Sequence, residues 1–139
     1  MRKHQIAFVI HGLCMGGAEK FLIELMNHFC LLETYPLLIT LSHDNVLYPS
    51  LDNRVEVVKI IRNSKFDFSI SFKIKELLNR RGITKVVCIN TYSFFLTKLA
   101  LFFSNHIQLF LSLHSTIPPS KKAFWQNIFY FRMVQSKDA

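Results

Sequence analysis

Ile6-Ala7-Phe8-Val9-Ile10-His11-Gly12-Leu13-Cys14-Met15-Gly16-Gly17-Ala18-Glu19-Lys20-Phe21 is the stretch whose reading decides the fold. Its first five residues are continuously apolar, with no polar alternation, which suits a strand buried on both faces. Gly12 and the pair Gly16-Gly17 then punctuate a short loop, where glycine leaves no Cβ between backbone and ligand. A helix follows at once. Ala18, Phe21, Leu22, Leu25, Met26 and Phe29 recur at three- and four-residue steps and make one apolar face. Glu19, Lys20, Glu24, Asn27 and His28 fall mostly on the other. The free N–H groups at the start of that helix would favour an anion at the mouth of the loop.

The common phosphate-binding motifs do not fit this loop. Gly12 and Gly17 have the glycine spacing of a P-loop, but Ala18 and Glu19 stand where Lys and Ser/Thr are needed. Gly16-Gly17 is not the G-x-G-x-x-G of a standard dinucleotide domain. From the turn alone, a ligand loop and a plain tight strand–helix connection are equally compatible, because short βα loops with glycine are common.

The rest of the chain repeats the strand–helix alternation. Leu37 to Leu41 reads as a second buried strand, Val55 to Ile61 as a third, Thr84 to Ile89 as a fourth and Ile107 to Leu113 as a fifth. Ile70 to Arg81 reads as a helix with Ile70, Ile74, Leu77 and Leu78 inward, and Gly82 is its natural stop. Asn90-Thr91-Tyr92-Ser93 ends the fourth strand, and Phe94 to Phe103 reads as an apolar helix. Beyond Pro118-Pro119, Lys121 to Val134 reads as a last helix. This order predicts an α/β fold: a Rossmann-like open parallel sheet of about five strands flanked by helices. In such sheets ligands lie beyond the carboxyl ends of the strands, at the switch in strand order. The residues there are 12–17, 42–44, 90–93 and 114–116, mostly small or polar after apolar strands.

Length, charge and cysteine usage narrow the function classes. A chain of 139 residues is one domain with room for a real core. Its 17 basic against 9 acidic residues leave +8, which suits an anionic partner: a nucleotide-sugar phosphate, an acidic lipid surface or nucleic acid. Nucleic acid rests on charge alone, so it is set aside. Cys14, Cys30 and Cys88 form no C-x-x-C and read as reduced thiols of a cytoplasmic protein. Arg2-Lys3-His4 before a five-residue apolar run is too short for a signal peptide. No run reaches the roughly 18 apolar residues of a spanning helix. A receiver domain is disfavoured because Asp44 is the sole acidic residue at the expected strand ends.

The loop and its surroundings resemble a family. A strand, His11-Gly12, a short loop and then Gly16-Gly17-Ala18-Glu19-Lys20 look like the N-terminus of the family 4 glycosyltransferases of the GT-B fold, whose first loop typically reads Gly-Gly-Ala-Glu-Arg. Lys20 keeps the charge of that arginine without its planar fork. The resemblance extends over essentially the whole chain, with a polar Asn90-Thr91-Tyr92-Ser93 after the fourth strand and His114 after the fifth. It implies that Gly16 and Gly17 approach the donor diphosphate and that His114 lines the cleft near the transferred sugar. Asn90, Thr91 and Ser115 are carried over as substrate-binding positions. Lys20 either supports the phosphate or only solvates its helix.

What the resemblance implies is a transfer of sugar, of hexosyl type and retaining, from a nucleotide-sugar to a glycan or lipid-linked acceptor. It implies no cofactor and no metal, with the nucleotide-sugar as donor substrate. It also implies that this is the N-terminal, acceptor-side domain over residues 1–139, cut before its sheet is complete. The donor-binding domain with its Glu-x7-Glu motif is absent, so the chain alone is expected to be inactive unless that domain is supplied in trans.

Other readings of the same residues stand beside this one. His114 could be a hydrogen-bonded structural histidine, and His11 reads as structural. His4, His28, His43 and His106 have no metal-ligand spacing. Ser115 and Thr116 beside His114 lack a nucleophile-elbow context, so a hydrolase triad is not expected. Trp125, Phe129, Tyr130 and Phe131 with Lys121, Lys122 and Arg132 make a basic aromatic helix. It is either a core helix or a surface for an anionic membrane. The alternative function is therefore a non-catalytic binding subunit that docks a separate donor-binding chain or the inner face of a membrane.

Overall fold

In a computed structural model of the chain, residues 5–64, 67–114, 120–122, 125, 128, 129 and 132 are described. The opening run forms β1 (Ile6–Ile10), and the glycine loop leads into α1 (Gly17–Leu31). Next come β2 (Leu37–Thr40), a single 3-10 turn at Tyr48–Ser50, and β3 (Glu56–Lys59). Then follow α2 (Ser69–Arg81), β4 (Lys85–Cys88), α3 (Thr91–Ala100) and β5 (Gln108–Leu111). The five strands form one sheet in the order β3-β2-β1-β4-β5, and every pairing is parallel. The expected α/β architecture is present.

The apolar runs become central strands because both their faces are covered. Ala7 and Val9 of β1 join Leu37, Ile39, Val86 and Cys88 in the core under α2 and α3. Phe8, Ile10 and Leu38 face the other way and pack with Leu22, Ile23, Met26 and Cys30 of α1. The chain is thus three-layered, with α1 on one face and α2 and α3 on the other. The edge strands show the contrast: β3 is half-buried with Lys59 exposed, and Gln108 and Phe110 of β5 are exposed.

Polar groups stitch the helices in place. Buried Ser71 of α2 donates its hydroxyl to the Leu96 carbonyl of α3 at 3.0 Å, and Thr97 donates to the Ser93 carbonyl at 2.8 Å. Arg81 at the end of α2 pairs with Glu56 of the edge strand, with nitrogen–oxygen distances of 2.5 and 3.1 Å. The helix α3 starts at Thr91, earlier than the apolar periodicity alone indicates. Asn90 is the reason: its Oδ1 accepts from the Ser93 N–H at 2.8 Å, and Ser93 Oγ returns the bond to the Asn90 N–H. This capping box folds the expected post-strand segment into the first turn of the helix. Of the last expected helix, residues 121, 122, 125, 128, 129 and 132 are helical. The remainder of that expectation lies outside the described residues.

Two helices close with the same six-to-one and five-to-two hydrogen bonds. In α2, Ile83 N–H donates to the Leu78 carbonyl and Gly82 N–H to that of Asn79, with Gly82 at φ +65° as the sequence predicts. In α1, Thr34 N–H donates to the Phe29 carbonyl and Glu33 N–H to that of Cys30, but the left-handed position holds Glu33 at φ +56°. A side chain there costs about 1–2 kcal/mol. Glu33→Gly is therefore expected to stabilise the protein by about 0.5–1 kcal/mol after the entropy of the added glycine is counted. Gly82→Ala is expected to destabilise it by about 1 kcal/mol. Urea unfolding of the two variants beside the parent checks both signs.

Candidate functional site

The strand order reverses at β1, whose neighbours β2 and β4 lead away in opposite directions. The crevice beyond the carboxyl ends of β1 and β4 is where an open α/β sheet receives a ligand. Backbone bonds extend the ladders up to that rim. Leu41 N–H donates to Ile10, Ile60 to Thr40, Ile89 to Val9 and Ser112 to Cys88. Each rim residue thus leaves its strand from a fixed point.

The β1–α1 loop is tied down on one side and open on the other. Leu13 N–H donates to the Asp44 carbonyl at 3.0 Å, and Leu47 N–H donates to the Leu13 carbonyl at 2.9 Å. Gly12 is buried in this contact. A Cβ on it would lie 2.6 Å from the Asp44 carbonyl oxygen and 3.3 Å from Ser42 Cβ. Gly12 is therefore required by close backbone approach. Gly16 is the N-cap of α1, with extended backbone and no side chain to cap with. The Glu19 carboxylate lies directly against it. That places an anion of the chain itself at the positive end of α1. A Cβ on Gly17 would meet nothing within 4 Å, and Lys20 is exposed.

His114 comes to the first turns of α1 from the end of the edge strand β5. It follows β5, is exposed, and stacks at an angle on Phe21 in the second turn of α1, with ring centroids 5.1 Å apart. Its Nε2 lies 3.0 Å from Ser112 Oγ. The expected positions Gly16, Gly17, Lys20 and His114 thus gather around the start of α1. Asn90 and Thr91 stand after β4, where Asn90 Oδ1 is occupied in capping α3. Ser115 lies outside the described residues.

A second constellation was not singled out by the sequence reading. Arg62, three residues past β3, donates through Nη1 to the Tyr92 hydroxyl at 2.7 Å, and its guanidinium carbon lies 5.2 Å from the centre of that ring. Tyr92 in turn meets His11 edge-on, with centroids 5.7 Å apart. All three side chains are half-buried, and the Nδ1 of His11 is buried without a hydrogen-bond partner. Burial, and then the Arg62 guanidinium, hold the His11 pKa below its ordinary value, while Asp44 pulls it upward. The rim rule that picks out four loops applies equally to the third strand. Arg62 is the first charged residue beyond it, and that position was the available signal.

The thiols offer no nucleophile in the core. Burial pushes the Cys88 thiol up to about 12, against hydrogen bonds to Thr97 and Ser93 that pull it down. Cys30 is also buried, while Cys14 is exposed in the β1–α1 loop and donates weakly to the Asp44 carbonyl at 3.7 Å. Among the described residues no group of three His, Cys, Asp or Glu side chains could hold a metal ion. Among them, too, no helix is long and apolar enough to cross a membrane.

The apo form of the lipopolysaccharide outer core galactosyltransferase WaaB matches with a TM-score of 0.66 at 18% identity, over 90% of this chain and 37% of that one. The fold is that of part of a GT-B glycosyltransferase. The chain spans about 37% of that enzyme's length, and at this identity the likeness is one of fold. No protein-family model and no curated protein matches the chain.

Two expectations follow from the site geometry. Gly12→Ala is expected to destabilise the fold by about 1–3 kcal/mol through the clash with the Asp44 carbonyl, whereas Gly17→Ala leaves it within about 0.5 kcal/mol. Chemical denaturation distinguishes them. His11 has a lowered pKa in the folded state, so on acidification the unfolded chain takes the proton first. Stability is therefore expected to fall as pH drops below the ordinary value of 6.5. Melting temperatures measured between pH 7.5 and about pH 5 should show this decline, and His11→Gln should flatten it.

Proposed function

We propose that this chain is the acceptor-side domain of a glycosyltransferase that moves a sugar from a nucleotide donor to a glycan or lipid-linked acceptor. The observation that carries the reading is the meeting of His114 with Phe21 at the start of α1. It brings the Gly16-Gly17-Ala18-Glu19-Lys20 helix start and the one histidine expected in the cleft to a single rim of a GT-B-like fold. The sequence motif supports membership of the family 4 enzymes, and with it hexosyl transfer with retention.

In this reading the domain supplies one wall of the cleft. Gly17 is open to a ligand, and Lys20 can turn toward its phosphates. Glu19 must swing off Gly16 to admit the diphosphate at the helix terminus, because two anions cannot share that position. His114 contributes a hydrogen-bonding group beside the sugar. Stabilisation of the leaving diphosphate needs donors on both sides and exclusion of water. Turnover is therefore assigned to this domain together with a donor-binding domain, with no metal or cofactor, on the cytoplasmic side of a membrane.

A second reading is favoured by a specific surface. Trp125 is 68% and Phe129 58% exposed, and Lys121, Lys122 and Arg132 on the same segment are exposed. Such a basic aromatic surface suits an anionic membrane, and a chain that acts only through it would be a non-catalytic binding subunit.

The test follows release of nucleoside diphosphate from a panel of nucleotide-sugars, with the chain alone and with a GT-B donor-binding domain added in trans. The expected result is release by the mixture alone, reduced by about a hundredfold in His114→Ala. Release by the chain alone would show that the second domain is dispensable. No release in either case, with salt-sensitive sedimentation on anionic vesicles, would replace the transferase reading with the binding subunit.

A further inference from the structure

Arg62 and Tyr92 are thirty residues apart and emerge from strands that are not neighbours. β3 and β4 are three strand spacings apart in the sheet, about 14 Å. Between them the Arg62 and Tyr92 side chains therefore bridge the carboxyl ends of β2 and β1, across the switch in strand order. A bridge of this kind holds a cation over the crevice. Among the described residues Arg62 has no carboxylate within ion-pair distance, although it is half-buried. Its one hydrogen-bonding partner there is the neutral Tyr92 hydroxyl.

This arrangement is unfinished electrostatically. A half-buried guanidinium loses hydration and is compensated best by an anion bound through its fork. Four of its five N–H donors are left after the bond to Tyr92. The Tyr92 oxygen accepts from Arg62, so its own proton is left to donate outward. The His11 imidazole beside Tyr92 has a buried, unpaired nitrogen. Asp44 is the negative charge that acts on His11, against the positive charge of Arg62. The α1 terminus, by contrast, already carries the Glu19 carboxylate.

We propose that Arg62, Tyr92 and His11 form a phosphate-binding site on the switch-point rim, separate from the α1 terminus, and that it holds a phosphate-bearing substrate. Arg62 takes two phosphate oxygens through its fork and Tyr92 donates to a third, while His11 packs edge-on against the Tyr92 ring and holds it in place. The anion site stands on the geometry alone; that its ligand is a substrate rests on the glycosyltransferase reading. Two sources carry this chemistry: a phosphate on the acceptor, or the diphosphate of the nucleotide donor seated here in place of the α1 terminus.

Calorimetric titration with inorganic pyrophosphate at low salt tests the site. Arg62→Gln is expected to weaken binding by at least about tenfold, and Tyr92→Phe by about threefold. Arg62→Lys should fall between parent and Arg62→Gln, because it keeps the charge and loses the fork. Lys85→Ala, at an exposed residue on the amino end of β4 and away from the rim, should stay within about twofold of the parent. Thermal melts confirm that each variant is folded, and Tyr92→Phe decides the matter if Arg62→Gln is not. Binding that depends on Lys20 and ignores Arg62 would overturn the proposal, as would equal weakening by all the variants.

Competition then separates the sources. Displacement of pyrophosphate by a nucleoside diphosphate, and not by a sugar phosphate, assigns the donor; the reverse assigns a phosphorylated acceptor. Displacement by neither overturns the substrate assignment. If pyrophosphate binding follows Arg62 but no sugar is transferred with the donor domain present, the transferase reading fails and the anion site stands. If transfer proceeds undiminished in Arg62→Gln, the anion site fails and the transferase reading stands.

Discussion

Everything in this domain hangs on β1 being paired on both sides. Ala7, Phe8 and Val9 are in register with residues of both β2 and β4, and their side chains alternate into the two halves of the core. A strand in that position can expose neither face nor edge. It must be apolar throughout, and its backbone groups must all be spent on its neighbours. The consequence for function is positional. The loop that leaves β1 is pinned at its base, and the rim of the crevice is built from chain segments that β1 brings to one height.

The two sides of that crevice differ in charge. On the α1 side the helix terminus faces Glu19, an anion supplied by the chain, with open space at Gly17. On the α2 and α3 side Arg62 stands over Tyr92 with His11 beside it. The overall surplus of +8 says little about this division, since most of the basic residues are on exposed surfaces. A long-range positive field gathers anions, but only groups that are partly desolvated and fixed in direction can select one. Arg62 is held by a hydrogen bond and by the face of an aromatic ring, which makes it the better-directed of the cations at the rim.

Glycine in the first loop also divides by role. The sequence suggests one function for Gly12, Gly16 and Gly17, namely close approach to a ligand. The structure gives each a different reason. Gly12 is small because the Asp44 carbonyl presses on it, Gly16 because Glu19 folds over it, and Gly17 faces open space. None of the three has a positive φ; among the described glycines that belongs to Gly82.

The five strands were legible because each is a short apolar run bounded by polar or turn residues. In the central strands β1 and β2 nearly every residue is buried, and the shortness of the runs marks them as strands. α1 and α2 were legible from their apolar faces, and Gly82 from its place at a helix end. The start of α3 was not, since the capping box of Asn90 and Ser93 lies outside the apolar periodicity. Of the candidate site, Gly16, Gly17, Lys20 and His114 came from motif and order, and their meeting at α1 depends on a single ring contact. The Arg62–Tyr92–His11 group was hidden, although each residue stands just beyond a strand. Which side chains meet across a sheet depends on strand order, and β3 and β4, adjacent in the chain's sequence of strands, lie on opposite sides of β1. Apolar periodicity is a local property, so the sequence by itself determined the elements and their class. Strand order and side-chain reach are long-range properties, so only the tertiary structure decided which charges share the crevice.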